Sequence, residues 1–302
     1  MNASRISLAL AGPGREESWQ SNLPWFRLFI LMHMAGRSFL MIPTGPTADL
    51  GVQWLRSVIV VIALLGCIPR FSLWATRAAA LLLVGEIAIT IPFTANHVFL
   101  EFLCLGFLSV LDERDEGEAG LLMWALRWFV GVFFFYTGLQ KLLYGYYFDG
   151  QLLAYLAATE ERFTAFFRFI IPAEELQRLQ SYNEALVSPG VYSTKLGAGP
   201  YRVDSLWFVV MSNGVYLFEM LAGMLLLVPR TRVLAAIASI GFVIMIELGA
   251  RELTFGALMV NLLLLFLPGR WIKWVFPAFL LSYLYLAAHK LGWVSMFEYA
   301  PA

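Results

Sequence analysis

The chain has 302 residues, 60% of them hydrophobic and only 14% charged, with a formal net charge of zero and a mean hydropathy of +0.72. Soluble domains carry about 45–50% apolar and about 25% charged residues, so an ordinary soluble protein is excluded. Balanced charge leaves no electrostatic footprint for nucleic acid, and the apolar stretches lack the ~10-residue alternating segments of a β-barrel. The expected fold is all-α: a polytopic membrane bundle of about eight or nine transmembrane helices, at roughly 20 apolar residues per crossing.

Residues 1–21 read as a cytoplasmic tail, because the apolar run Ile6–Ala11 is too short for a signal peptide and a polar stretch follows it. Apolar segments then recur at roughly 23–42, 53–68, 71–92, 96–111, 121–144, 206–228, 233–249, 253–268 and 271–289. A single membrane domain over 22–302 accounts for them. The one long connection, about 145–205, mixes aromatic, charged and Pro/Gly residues; Leu152–Ile171 and Glu174–Leu186 predict helices lying on the membrane or capping it. Arg70, Arg114, Arg230, Arg232, Arg270 and Lys273 fall on the N-terminal side, against Arg251 and Lys290 opposite. That bias puts the N-terminus in the cytoplasm and the 145–205 loop outside, as in a bacterial inner membrane.

Cys67 and Cys104 sit inside apolar spans and read as small hydrophobes, with no metal-ligand spacing. Gly12-Pro13-Gly14 is not followed by Gly-Lys-Ser/Thr, and no His-Glu-x-x-His, Cys-x-x-Cys or Gly-x-Ser-x-Gly motif occurs. The informative residues are charges within the spans, which are costly there and usually functional. They include Arg27, His33, Arg37, Glu86, His97, Glu101, Arg127, Lys141, Glu219 and Glu247. Arg37, Glu86, His97, Glu101, Lys141 and Glu247 all fall in outer half-spans, which predicts one outward-facing polar pocket beneath the 145–205 loop. His97 and Glu101, four apart, share a helix face. Alternatively, Arg37, Glu86 and Glu247 pair to lock helices together. Arg27 is expected to snorkel, and His33 and His289 to be packed or interfacial. Lys141 needs an acceptor or counter-charge, and burial makes such a lysine a potential base.

Phe135-Tyr136-Thr137-Gly138-Leu139-Gln140-Lys141-Leu142, followed by Asp149-Gly150, resembles the Gly-x-x-Lys-Leu motif of the vitamin K-dependent gamma-carboxylase family, in its HTTM membrane domain. Asn96-His97-Val98-Phe99-Leu100 is similar to its Asn-His-x-Tyr-Leu element, and Trp25-Phe26-Arg27-Leu28-Phe29 to its opening Arg-containing helix. Glu219-Met220-Leu221-Ala222-Gly223 and Pro229-Arg230-Thr231-Arg232 resemble the acidic-x-x-Ala-Gly and Pro-x-x-Arg stretch. These elements keep the family's order over most of residues 22–270. The chain has Val243 where the family has a histidine, and Tyr146-Tyr147-Phe148 where it has a tryptophan.

The resemblance implies a membrane enzyme using a reduced quinone, vitamin K or menaquinol-like, with dioxygen and carbon dioxide. Lys141 is then the base that deprotonates the quinol, whose oxidation to the epoxide yields a strong base for carboxylation of a glutamate. His97 is its hydrogen-bond partner or oxyanion stabiliser, and Asn96 an orienting donor. Arg37, Glu86, Glu101, Tyr136, Glu219 and Glu247 are expected around the quinone, with no metal. Expected partners are membrane lipids, the quinone, a peptide or small-molecule substrate and a membrane protein. The alternatives are a non-catalytic membrane subunit or scaffold, and a small-solute transporter.

Overall fold

A computed structural model of the chain describes residues 22–43, 49–91, 94, 96–145, 147–187 and 205–294. Among the described residues there are twelve helices and no strand. In chain order they are α1 Leu23–Leu40, α2 Leu50–Gly66, α3 Ser72–Thr90, α4 Asn96–Val110, α5 Glu116–Tyr144 and α6 Gln151–Thr159. There follow α7 Glu161–Phe167, α8 Ala173–Val187, α9 Leu206–Leu227, α10 Arg232–Ala250, α11 Leu253–Leu264 and α12 Gly269–Lys290.

Five of these, α3, α5, α9, α10 and α12, are long and apolar enough to cross a membrane. α5, with 29 residues, extends about 43 Å at 1.5 Å per residue. Shorter apolar helices are Leu50–Gly66, His97–Val110 and Leu253–Leu264. α1 has 18 residues but carries Arg27, His33 and Arg37. Large apolar side chains such as Leu81, Val110, Leu234 and Trp274 are strongly exposed, which a lipid-facing surface tolerates and a water-facing one does not.

The chain divides into two compact units. The first comprises residues 1–130, 229–240 and 253–302. In it α1 packs against α2, α3, α4, α11 and α12, and so lies at the centre of the unit. Its buried side chains include Phe26, Phe29, Ile30, Leu31 and Met34, together with Arg27, His33 and Arg37. Helix starts follow local chemistry: Asp49 accepts from the amides of Gly51 and Val52 to cap α2, which satisfies two otherwise orphaned donors. Helix ends in this unit are capped by distant cations, as the macrodipole favours. Lys290 donates to the carbonyls of Phe39, Leu40 and Ile42 at the end of α1, and Arg127 donates twice to the Leu265 carbonyl just after α11.

The second unit comprises residues 131–228 and 241–252. Here α6 packs on α7, α8 and α9. Ala154, Ala157, Phe167, Ile171, Leu176, Leu179 and Phe208 form their shared core. These helices fall within the predicted Leu152–Ile171 and Glu174–Leu186 segments to within a few residues. Arg251, at φ 54°, ends α10 in the left-handed conformation, and its amide donates back to the Glu247 carbonyl.

Candidate functional site

Two charged constellations form, one in each unit. In the first, α1 brings His33 and Arg37, one turn apart, to a centre shared with α2, α3, α4 and α12. Arg37 Nε donates to Glu101 Oε2 at 2.8 Å. Its Nη1 and Nη2 donate to Glu86 Oε1 and Oε2 at 3.1 and 2.9 Å. Arg56 Nε donates to the same Glu86 Oε1 at 2.9 Å, and its Nη1 donates to the Met41 carbonyl. On the other side His33 Nε2 lies 2.9 Å from Glu101 Oε1, while Nδ1 hydrogen-bonds the Tyr283 hydroxyl.

An ionised Glu101 is acceptor-only, so Nε2 of His33 carries a proton. A neutral imidazole then accepts the Tyr283 hydroxyl at Nδ1. With two arginines against two glutamates the chain of six residues is electrically balanced. His33, Arg37 and Glu101 are fully buried and Glu86 nearly so. Each carboxylate oxygen of Glu86 and Glu101 has at least one donor. The arrangement locks five helices together, and losing one partner would strand an unpaired buried charge.

The second constellation lies in the other unit and is open to the surface. Lys141, in the last turn of α5, donates to both Glu219 oxygens, at 2.7 and 2.6 Å. The Lys141 side chain keeps 24% exposure and that of Glu219 9%. A short glutamate reaches the lysine because α5 and α9 touch backbone to backbone. A Cβ on Gly138 would stand 2.6 Å from the Tyr216 carbonyl oxygen, and one on Gly223 2.5 Å from the Phe135 nitrogen. Only glycine fits either place. Gly138 is three residues before Lys141 and Gly223 four after Glu219, so each glycine shares a helix face with its charge.

Next to the pair, the Tyr147 ring centroid is 5.8 Å from Lys141 Nζ. The turn carrying Tyr147 is tied to α9 through Asn213 Nδ2, which donates to the Phe148 carbonyl at 2.8 Å. Burial, with the Glu219 carboxylate adding to it, pushes the Tyr147 phenol up to about 12, so the hydroxyl stays a neutral donor at ordinary pH. Gln140, Lys141, Tyr144 and Tyr147 line an open pocket of ≈ 340 Å³.

The sequence-predicted residues therefore divide. Arg37, Glu86 and Glu101 meet, as expected, and the Arg37–Glu86 pair forms. Glu101 faces His33 and Arg37, and the carboxylate facing Lys141 is Glu219 rather than Glu101 or Glu247. His97, in the first unit, is partly exposed, its ring 6.3 Å from that of Phe255; the Asn96 side chain lies outside the described residues. Tyr136 is 58% exposed and turned away from the core. Glu247 is half-buried near the end of α10.

Arg27 does not snorkel. It is buried, with Nη2 donating to the Leu108 carbonyl at 3.1 Å and Nε 3.0 Å from Glu113. The end of α4 and its acidic loop give it a protein partner, so it need not reach for water. Sequence reasoning missed Arg56 and Tyr283 as members of the first constellation and read His33 as merely packed. Among the described residues no group of three or more His, Cys, Asp or Glu is placed to hold a metal ion. No family model matches the chain, and no curated protein and no solved structure is significantly similar to it.

Proposed function

We propose that this chain is a multi-pass membrane enzyme in which the Lys141–Glu219 pair removes a hydroxyl proton from a reduced quinone. In this reading the five long helices, the three shorter apolar ones and α1 make nine spans. The N-terminus is cytoplasmic and the pair lies toward the outer leaflet. The observation that carries it is the contrast between the two constellations. The first is buried and internally satisfied, whereas Lys141 is only half-buried, in the wall of a pocket with aromatic sides.

The chemistry follows from desolvation. Two opposite charges lose more than two neutral groups when water is removed around them. An apolar ring covering the pocket therefore shifts the pair from ammonium–carboxylate toward amine–carboxylic acid. The amine of Lys141 is then a base beside the substrate hydroxyl, oriented by Glu219, with Tyr147 able to donate to a substrate oxygen. The pocket volume lies at the lower end of the range for small-ligand sites, about 300–1,000 Å³, which suits a ring whose isoprenoid tail remains among the helices. The resemblance to the gamma-carboxylase family supports a quinol as substrate and dioxygen as its oxidant, with carbon dioxide added to an acidic peptide or small molecule. Binding tests the reading: the protein in nanodiscs should bind reduced phylloquinone or menaquinol, and Lys141→Ala should weaken that binding. A wild-type protein that binds neither quinol would overturn it.

A second reading, a non-catalytic membrane subunit, is favoured by the doubly bonded Lys141–Glu219 contact, whose geometry equally suits a helix clamp. It predicts that Lys141→Arg preserves function.

A further inference from the structure

The sequence Tyr283–His33–Glu101 in the first unit has the connectivity of a proton acceptor chain built on a phenol. Removing one electron from a phenol makes it strongly acidic, so oxidation is eased when a base already holds the hydroxyl hydrogen bond. His33 Nδ1 is that base: it hydrogen-bonds the Tyr283 hydroxyl, and its opposite nitrogen is 2.9 Å from Glu101. The carboxylate stabilises an imidazolium if one forms, and Arg37 fixes the carboxylate from behind at 2.8 Å. Tyr283 itself is nearly buried. Its ring packs at a tilt against Phe279, with centroids 5.1 Å apart, and lies over Gly36, where any Cβ would strike it. A radical formed there would be shielded from collision. Tyr216 is the internal contrast: it is also buried, but it donates at 2.5 Å to Asn213 Oδ1, an amide oxygen that does not take up a proton.

We propose that Tyr283 is a redox-active tyrosine that yields one electron to a membrane-borne radical oxidant while its phenolic proton passes to His33. With a lipid peroxyl radical as oxidant, the electron reduces it to the peroxide anion. The Tyr283 O–H bond breaks and the proton forms an N–H bond at His33 Nδ1. The products are a neutral tyrosyl radical and an imidazolium facing Glu101. This chemistry is separate from that of Lys141, and substitution of Lys141 leaves it unchanged.

The test is electron paramagnetic resonance of the full-length protein in nanodiscs, oxidised by hexachloroiridate and rapidly frozen. The wild type should give a neutral tyrosyl signal, and 3-fluorotyrosine installed at position 283 should add a fluorine hyperfine splitting to it without altering the fold. Tyr283→Phe should lose the signal, Tyr216→Phe should keep it, and His33→Gln, which offers no basic nitrogen, should reduce its yield at least tenfold. Absence of a tyrosyl signal in the wild type, a signal without fluorine splitting, or an undiminished yield in His33→Gln would each overturn the proposal.

Discussion

Replacing Arg37 by methionine isolates the energetic role of the buried constellation in the first unit. The side chain keeps comparable bulk, so little cavity forms, but three charge-assisted hydrogen bonds disappear. The group changes from electrically balanced to carrying one uncompensated negative charge. Glu101 retains His33, and Glu86 retains Arg56, so neither carboxylate is wholly abandoned. Breaking a buried pair from one side costs about 3–5 kcal/mol, and the retained partners place this case near the lower figure, about 3 kcal/mol. Adding Glu101→Gln restores the balance of charge. The double variant should therefore recover stability relative to simple addition of the two single effects, by roughly 1–3 kcal/mol of coupling. Reversible unfolding in mixed detergent micelles, followed by circular dichroism, supplies all four corners of the cycle. A cost below about 1 kcal/mol for Arg37→Met, or additive single variants, would refute the view that these charges lock the helices.

In the second unit, Gly223→Ala places a Cβ 2.5 Å from the Phe135 nitrogen and 2.6 Å from the Gly131 oxygen. It should cost roughly 1–3 kcal/mol by overpacking and part Lys141 from Glu219, while Gly106→Ala, with nothing within 4 Å, should melt like the wild type. Glu219→Gln should lower quinol turnover by about 10²–10⁴-fold with quinol affinity largely kept; unchanged turnover would remove Glu219 from the chemistry. Between α4 and α5, burial holds the Glu113 carboxyl above the usual carboxylate range, the Arg27 charge opposing and the Asp112 charge adding to it. Its neutral form is thus favoured in the fold, and its stabilising contribution is complete below the ordinary carboxylate range and lost as pH rises through the raised value. Glu113→Gln should flatten the fall in melting temperature over that acidic window, and identical wild-type and variant slopes would contradict the shift.

The helical plan was legible because apolar run length is a local property. The nine segments read from the chain each coincide with one long or medium helix, with ends displaced by up to five residues. Partnership is not local, and the sequence reading reached it only in part. Arg37 and Glu86 could be matched as opposite charges at similar depth. Nothing distinguished Tyr283 from the eleven other tyrosines, and the neutral His33 carried no charge to match. Arg56, inside α2, shares Glu86 with Arg37, a pairing the sequence reading did not make. For Lys141 a usable signal was present. Gly138 on its own face and Gly223 on the face of Glu219 mark where two backbones can approach, and small residues of this kind favour close helix contacts in membranes. The family resemblance pointed instead to Asn96 and His97. Arg27 shows the converse error, since its partners are the carbonyl end of α4 and the loop carboxylate of Glu113, neither visible as an intramembrane charge.

The central claim, that Lys141 acts as a base on a membrane quinol, is tested most directly by oxygen-dependent oxidation of reduced phylloquinone by the purified protein and its Lys141→Arg variant. A guanidinium keeps the positive charge and can still bridge to Glu219, but it does not give up its proton near neutral pH. The account predicts epoxide formation by the wild type, and a folded, thermally stable Lys141→Arg protein that binds quinol but forms none. A Lys141→Arg protein that turns over quinol at the wild-type rate would contradict it.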